Sequence, residues 1–276
     1  MFKYFTEDVV DGKTFVDHTL FLSAVSVGNV GQLAVDVILA NAGPSVPQKI
    51  GRLFHPGLEA VVGTDPSFSN GDLSKLVTSC EVFILREKKY VIIHFHAPVS
   101  MKLRAQFVDF LCDWIERQKF RQVVCFSSTF ASDRNDQQLE GVPLRFIATD
   151  KSEATLAERL KKLDWEQLEK RLFPAPAVIE GAGNIEDGIL HLPGSGITLR
   201  MFEKCQALGI PFLALVMFAS EGDNTPEALT MFEAANKLFT FTVKDDNQER
   251  STTPTPITIP LTWSHFHGRS HPIEMY

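Results

Sequence analysis

The chain has 276 residues, 44% hydrophobic and 22% charged, enough apolar material for a sizeable core without disulfide or metal staples. Its 27 Lys and Arg against 34 Asp and Glu give a net charge of −7, which speaks against nucleic-acid or anionic-membrane partners, since both select a basic face. Cys80, Cys112, Cys125 and Cys205 are scattered through apolar runs with no CxxC pair, the pattern of reduced thiols packed as small hydrophobes. The opening MFKYFTEDVVDGK carries acids early and does not read as a signal peptide, and no apolar run approaches the roughly 18 residues of a membrane span. The expectation is a cytoplasmic and nuclear protein.

In chain order, FLSAVSV (21–27) predicts a strand and VGQLAVDVILA (30–40) a helix. CEVFILRE and KYVIIHFH predict two strands joined by a tight turn near Glu87 and Lys88. Residues 101–120 place Leu103, Phe107, Phe110, Leu111, Trp114 and Ile115 at helical spacing. Strands follow at 122–128 and 143–149, then a charged helical region from Ser152, a candidate N-cap with Thr155 as the alternative, through SEATLAERLKKLDWEQLEKRL. GILHLPGSGITLRMFEKC and PFLALVMFASEGDNTPEALTMFEAANKLF each read as strand, turn and helix. Loops are expected at 62–72 and 173–188, and a flexible one at 245–260. None of them separates two cores. The reading is a single α/β domain over 1–276, with a mixed, mostly parallel sheet flanked by helices.

Three strand-to-helix turns are rich in glycine: GNVG (28–31), PGSG (193–196) and SEGDN (220–224). In a parallel sheet such turns lie at the carboxyl edge, where ligands bind and helix N-termini offer free N–H groups. GNVG lacks the GxGxxG spacing and no GxxxxGK[ST] occurs. Structural roles for Gly28, Gly31, Gly194, Gly196 and Gly222 therefore compete with ligand roles. Gly31 is expected to bring the helix from Val30 close onto the sheet, burying Val35 and Ile38. Glu221 and Asp223 are candidate ligands for a hard cation. Thr225 as helix cap, Pro226 in the first position and Glu227 against the dipole is the preferred reading of the same residues. His94 and His96 share one face of a strand at metal-ligand spacing, but no third ligand is near in sequence. His265 and His267 lie in an aromatic tail segment. SSTFASDRND offers Ser127, Ser128, Asp133, Arg134 and Asp136 without a GxSxG elbow, and reads as a hydrogen-bonded loop. No catalytic, cofactor or metal residue is assigned.

Several blocks carry a resemblance: AVSVGNVGQLAVD, SSTFASDRNDQQL, PLRFIAT, LDWEQLEK, LPGSGIT, FASEGDNTPEAL and, near the end, IPLTWSHFHG. In this order, from about Leu22 to Gly268, they resemble the proteasome assembly chaperones that pair with proteasome assembly chaperone 1. The resemblance implies a nucleoside-phosphorylase-like α/β domain used as a binding scaffold, without enzymatic activity or cofactor. It implies a heterodimer that promotes formation of the proteasome core-particle α-ring, contacts its α-subunits and prevents off-pathway α-ring association. Proteasome-binding factors often end in a hydrophobic residue, a tyrosine and any last residue. The tail 269–276 ends Ile273-Glu274-Met275-Tyr276, with the tyrosine last rather than penultimate. Ile273, Met275 and Tyr276 form the candidate proteasome-binding tail. The competing reading is a nucleoside-phosphorylase-like or hydrolase-like enzyme that uses the glycine turns as a ligand site.

Overall fold

In the computed structural model, which describes residues 1–4, 15–42, 47–64, 76–171, 188–242, 256–260 and 263, the β-branched runs become strands and the 3.6-period runs become helices. The strands are β1 (Phe2–Tyr4), β2 (Thr19–Ser23), β3 (Gln48–Leu53), β4 (Val62–Thr64) and β5 (Leu76–Thr78). They continue as β6 (Cys80–Leu85), β7 (Tyr90–Phe95), β8 (Gln122–Phe130), β9 (Leu144–Ala148) and β10 (Phe212–Ala219). The helices are α1 (Val30–Ala40), α2 (Arg104–Gln118), α3 (Asp150–Lys162), α4 (Thr198–Leu208) and α5 (Thr225–Phe239).

One mixed sheet of eight strands, in the order β1-β3-β6-β7-β2-β8-β10-β9, carries the fold, while β4 and β5 form a separate two-stranded ribbon. Its centre is parallel: β7 with β2, β2 with β8 and β8 with β10. Both flanks are antiparallel. The central strands are buried on both faces, which is why TLFLS, YVIIHF, QVVCFSSTF and FLALVMFA are nearly continuous apolar runs rather than alternating ones. On one face Phe107, Leu111, Ile115, Met201 and Cys205 of α2 and α4 join Leu20, Ile93, Cys125 and Val216. On the other, Val35, Ile38, Leu156, Met231 and Phe232 of α1, α3 and α5 join Phe21, Val124 and Leu215. The sheet therefore has a helical layer on each face, as the alternation of elements predicts.

Four boundaries depart from the sequence reading. The strand expected over 21–27 starts at Thr19 and ends at Ser23, where the parallel ladder with β8 closes on the Ala24 N–H donating to the Phe126 carbonyl (2.9 Å). The charged helix begins at Asp150 rather than at Ser152 or Thr155. Thr149 precedes it and its carbonyl accepts the Glu153 N–H (2.8 Å), while Ser152 is buried within the first turn. That helix ends at Lys162, since Asp164 takes a left-handed φ of 53° and turns the chain back. Residues 166–168 then run alongside β9: the Phe146 N–H donates to the Glu166 carbonyl (3.1 Å), and the Leu168 N–H to the Phe146 carbonyl (2.8 Å). GILHL forms no strand, only an isolated bridge between Ile189 and Arg171. The expected loop 62–72 begins as β4, and its remainder lies outside the described residues, as does all but Gly188 of 173–188.

Candidate functional site at the carboxyl edge

The chain leaves β2 for α1 on one face of the sheet and leaves β7 for α2 on the other. A crevice opens between two such strands at their carboxyl ends, the usual ligand position of an open α/β sheet. The three glycine turns converge at this edge and fill it with the chain's own atoms. The Val27 N–H donates to the Gly194 carbonyl (3.1 Å), binding the first turn to the second. A Cβ at Gly28 would stand 2.3 Å from Asn224 Nδ2, and one at Gly196 would stand 2.3 Å from the Val25 carbonyl oxygen. Both residues hold positive φ (62° and 63°), so each meets two demands that only glycine satisfies together. A Cβ at Gly194 would stand 2.4 Å from Val27 Cγ2. Gly31 follows in α1, and a Cβ there would stand 2.2 Å from the Phe126 carbonyl oxygen. Gly222 differs, with open space around its missing side chain.

Hydroxyls complete the closure. Ser128 Oγ lies 2.7 Å from Ser26 Oγ, Thr198 Oγ1 donates to Ser127 Oγ (2.7 Å), and Thr129 Oγ1 donates to the Pro193 carbonyl (2.9 Å). Ser127 and Ser128 thus tie the end of β8 to the turns. A cavity of about 60 Å³ remains among Val25, Phe95, Ala97, Arg104, Gly196 and Ile197, room for one or two waters and far below the several hundred Å³ of a small-molecule site. Nearby, Arg134 Nε donates to the Ala131 carbonyl (3.2 Å), Asp133 and Asp136 stand in short helical turns, and Asn135 with Gln138 forms a capping box.

The acidic turn needs a correction. Thr225 is the first helical residue of α5 and Pro226 the second, with Asn224 in the capping position. Asn224 turns its Nδ2 to the Ser220 and Gly222 carbonyls instead (2.9 and 3.0 Å), and Asp223 Oδ1 accepts the Thr225 N–H (3.0 Å). An acceptor two residues ahead of the expected cap, Asp223, thus satisfies the free N–H of Thr225. Glu221 is exposed at the same turn. Among the described residues no group of three His, Cys, Asp or Glu side chains has metal-binding geometry.

His94 near the end of β7 and His96 just beyond it lie side by side, with ring centroids 4.1 Å apart. Burial, then the adjacent His94 and Lys49, hold the His96 imidazole down at a pKa of about 2, so it is neutral throughout the physiological range. His94 belongs to an arrangement that the sequence reading missed. Its Nε2 lies 2.6 Å from Asp36 Oδ1 on α1, and its Nδ1 lies 2.9 Å from Ser23 Oγ on β2. Trp263 Nε1 donates to the other Asp36 oxygen (3.2 Å). Ser23 Oγ also accepts the Phe95 N–H (2.8 Å). With the Nε2 proton on the Asp36 side, Nδ1 accepts the Ser23 hydroxyl and each member of the chain is satisfied. The order Ser, His, Asp is that of a nucleophilic triad. Ser23 and His94 are fully buried between sheet and helix, with no path for a substrate, and the set works as a clamp joining β2, β7, α1 and the C-terminal segment. One signal was legible: Asp36 is the only charged residue in VGQLAVDVILA.

The PAC2 family model matches residues 20–252. The chain belongs to the PAC2 family. Curated relatives from Nematostella vectensis and Homo sapiens, each named Proteasome assembly chaperone 2, are 39% and 30% identical to it. The first alignment covers 86% of this chain and 95% of the relative, the second 94% of each. Among solved structures, Pyrococcus furiosus PbaA, described as an archaeal homolog of proteasome-assembly chaperone, superposes with a TM-score of 0.59 at 11% identity. That superposition covers 90% of this chain and 89% of PbaA. A Thermoplasma acidophilum protein of unknown function gives 0.60 at 17% identity, covering 87% and 84%. At these identities the two structures speak for the fold alone. In this PAC2-family chain the C-terminal segment returns to α1: Asn41 Nδ2 donates to the Thr258 carbonyl and the Thr258 N–H to Asn41 Oδ1 (both 2.8 Å), ahead of Trp263. Of the flexible loop expected over 245–260, residues 256–260 are therefore partly pinned. His265, His267 and the tail residues Ile273, Met275 and Tyr276 lie outside the described residues.

Proposed function

We propose that this chain is a proteasome assembly chaperone of the cytoplasm and nucleus. As a heterodimer with proteasome assembly chaperone 1, it promotes assembly of the core-particle α-ring and prevents off-pathway α-ring association. The observation that carries this reading is the near-full-length match to relatives of that name. The carboxyl edge supports it: the turns that would cradle a nucleoside or phosphate in an enzyme of this architecture are packed against one another, which makes the edge a rigid scaffold. The test is co-purification from cells at mild salt with a tag at the N-terminus and mass spectrometry of the bound proteins. Recovery of proteasome assembly chaperone 1 together with α-subunits is the expected result. A soluble, well-folded sample that brings down neither would overturn the proposal.

Ring contact is assigned in part to Ile273, Met275 and Tyr276 at the tail. A buried tyrosine ring with apolar side chains beside it makes a compact anchor. Deleting the last three residues is expected to weaken α-ring binding about tenfold, roughly 1.4 kcal/mol, while co-purification with the partner chaperone is retained. Unchanged ring affinity after the deletion would place ring contact on the domain surface alone.

A further inference from the structure

At the opposite end of the parallel strands from the glycine turns, a cavity of about 210 Å³ opens among Arg121, Gln122, Ser152, Thr155, Arg159 and Pro211. Gln122 and Pro211 stand at the amino ends of β8 and β10, and Ser152, Thr155 and Arg159 lie on one side of α3. We propose that this cavity is a phosphate-binding site.

Its lining holds two guanidinium groups and no carboxylate, in a chain whose net charge is −7. Among the described residues neither Arg121 nor Arg159 forms an ion pair. Each spends one N–H on a neutral acceptor: Arg121 Nη2 donates to Thr19 Oγ1 (3.2 Å), and Arg159 Nη2 to the Leu238 carbonyl. Both residues are exposed, and among the described residues the rest of each five-donor fork meets no protein acceptor. Both guanidiniums also act on the Tyr90 hydroxyl, favouring its ionised form against the effect of burial. Two like charges held at one place with no neutralising acid call for an anion.

The polar floor is built rather than incidental. Gln122 and Ser152 are buried beneath the cavity (7% and 0% exposed), and Gln122 Nε2 donates to Ser152 Oγ (3.4 Å). The donors come from two elements, Arg121 ahead of β8 and Arg159 on α3, so they approach from different directions. A carboxylate offers two oxygens in one plane, whereas a phosphoryl group offers three or four in a tetrahedron and answers such a set better. Thr155 Oγ1 donates to the Lys151 carbonyl (2.9 Å) and adds no donor. It marks a wall position where a longer side chain would enter the cavity. The phosphoryl group has two sources, free phosphate or a nucleotide on one side and a phosphorylated side chain of a protein partner on the other.

The experiment is calorimetric titration of the full-length chain with inorganic phosphate, adenosine monophosphate and a phosphoserine peptide. Each is run on the wild type, Arg121→Gln, the double variant Arg121→Gln with Arg159→Gln, and Thr155→Glu. Saturable binding of at least one probe is expected, weakened at least tenfold in the double variant and lost in Thr155→Glu, whose carboxylate occupies the cavity. Thr155→Glu and Arg121→Gln keep the test valid if Arg159→Gln, which removes the contact to Leu238, unfolds the chain. A peptide that binds tighter than the two small probes assigns the source to a protein partner. Equal or tighter binding of the small probes assigns it to free phosphate. Absence of saturable binding for all three, or equal affinity in the wild type and Thr155→Glu, overturns the proposal.

Discussion

Gly31→Ala is expected to lower the thermal unfolding midpoint by roughly 3–5 °C, corresponding to about 2–3 kcal/mol of overpacking in a chain of this size. The added Cβ would stand 2.2 Å from the Phe126 carbonyl oxygen and 2.8 Å from its carbon. Both are backbone atoms in a central strand, so no side chain can swing aside and α1 itself must retreat. Its buried face, with Val35 and Ile38 on the sheet, retreats with it. The helix-propensity gain of alanine over glycine, about 1 kcal/mol, opposes this and is outweighed. Gly31→Val adds branched bulk to the same clash and is expected to abolish recovery of soluble protein. Gly63→Ala is the matched control: the nearest atom to its Cβ is Val77 Cγ2 at 3.6 Å, and its midpoint should move by no more than about 0.5 kcal/mol in equivalent stability. A wild-type midpoint in Gly31→Ala would mean that close approach to the Phe126 carbonyl does not set the position of α1.

Asp36→Ala is expected to cost roughly 2–5 kcal/mol in urea unfolding followed by circular dichroism, the penalty for leaving two buried donors without an acceptor. Those donors are the N–H groups of His94 and Trp263, one on each Asp36 oxygen. Asp36→Asn should recover part of the loss, because its amide oxygen serves one donor while its NH₂ faces the other. Trp263→Phe removes a donor together with its need for an acceptor and should cost about 1 kcal/mol. This ordering, alanine worst, asparagine intermediate and the Trp263 change mildest, identifies the carboxylate as the hub. A loss below about 1 kcal/mol for Asp36→Ala would show that the clamp adds nothing to stability.

The alternation of elements was legible because buried parallel strands need continuous apolar runs and the helices covering them need a 3.6-residue stripe; YVIIHF and FVDFLCDWI show both. Boundaries were less legible. LDWEQLEK keeps a helical spacing of apolar residues, yet the chain reverses at Asp164, whose left-handed conformation no pattern of hydrophobicity announces. The glycine turns were visible one at a time. Their mutual packing was not, since Gly28 meets Asn224 from the far end of the chain. The clamp was hidden for the same reason: Ser23, Asp36, His94 and Trp263 lie on four segments, and only the lone acid within an apolar helix hinted at a buried partner.

The stretch from Glu166 to Leu168 acts as a hem on the sheet. By engaging the outer amide and carbonyl of Phe146, it occupies hydrogen-bonding positions that would otherwise template strand addition by another chain. Backbone pairing along β9 is indifferent to side-chain identity, and a sheet left open there would accept many extended peptides. With that border sewn shut, a protein meeting this flank must read side chains. Choice of partner on this side then becomes a property of the sequence, open to discrimination by a few substitutions, and aggregation through the same border is suppressed at no cost in selectivity.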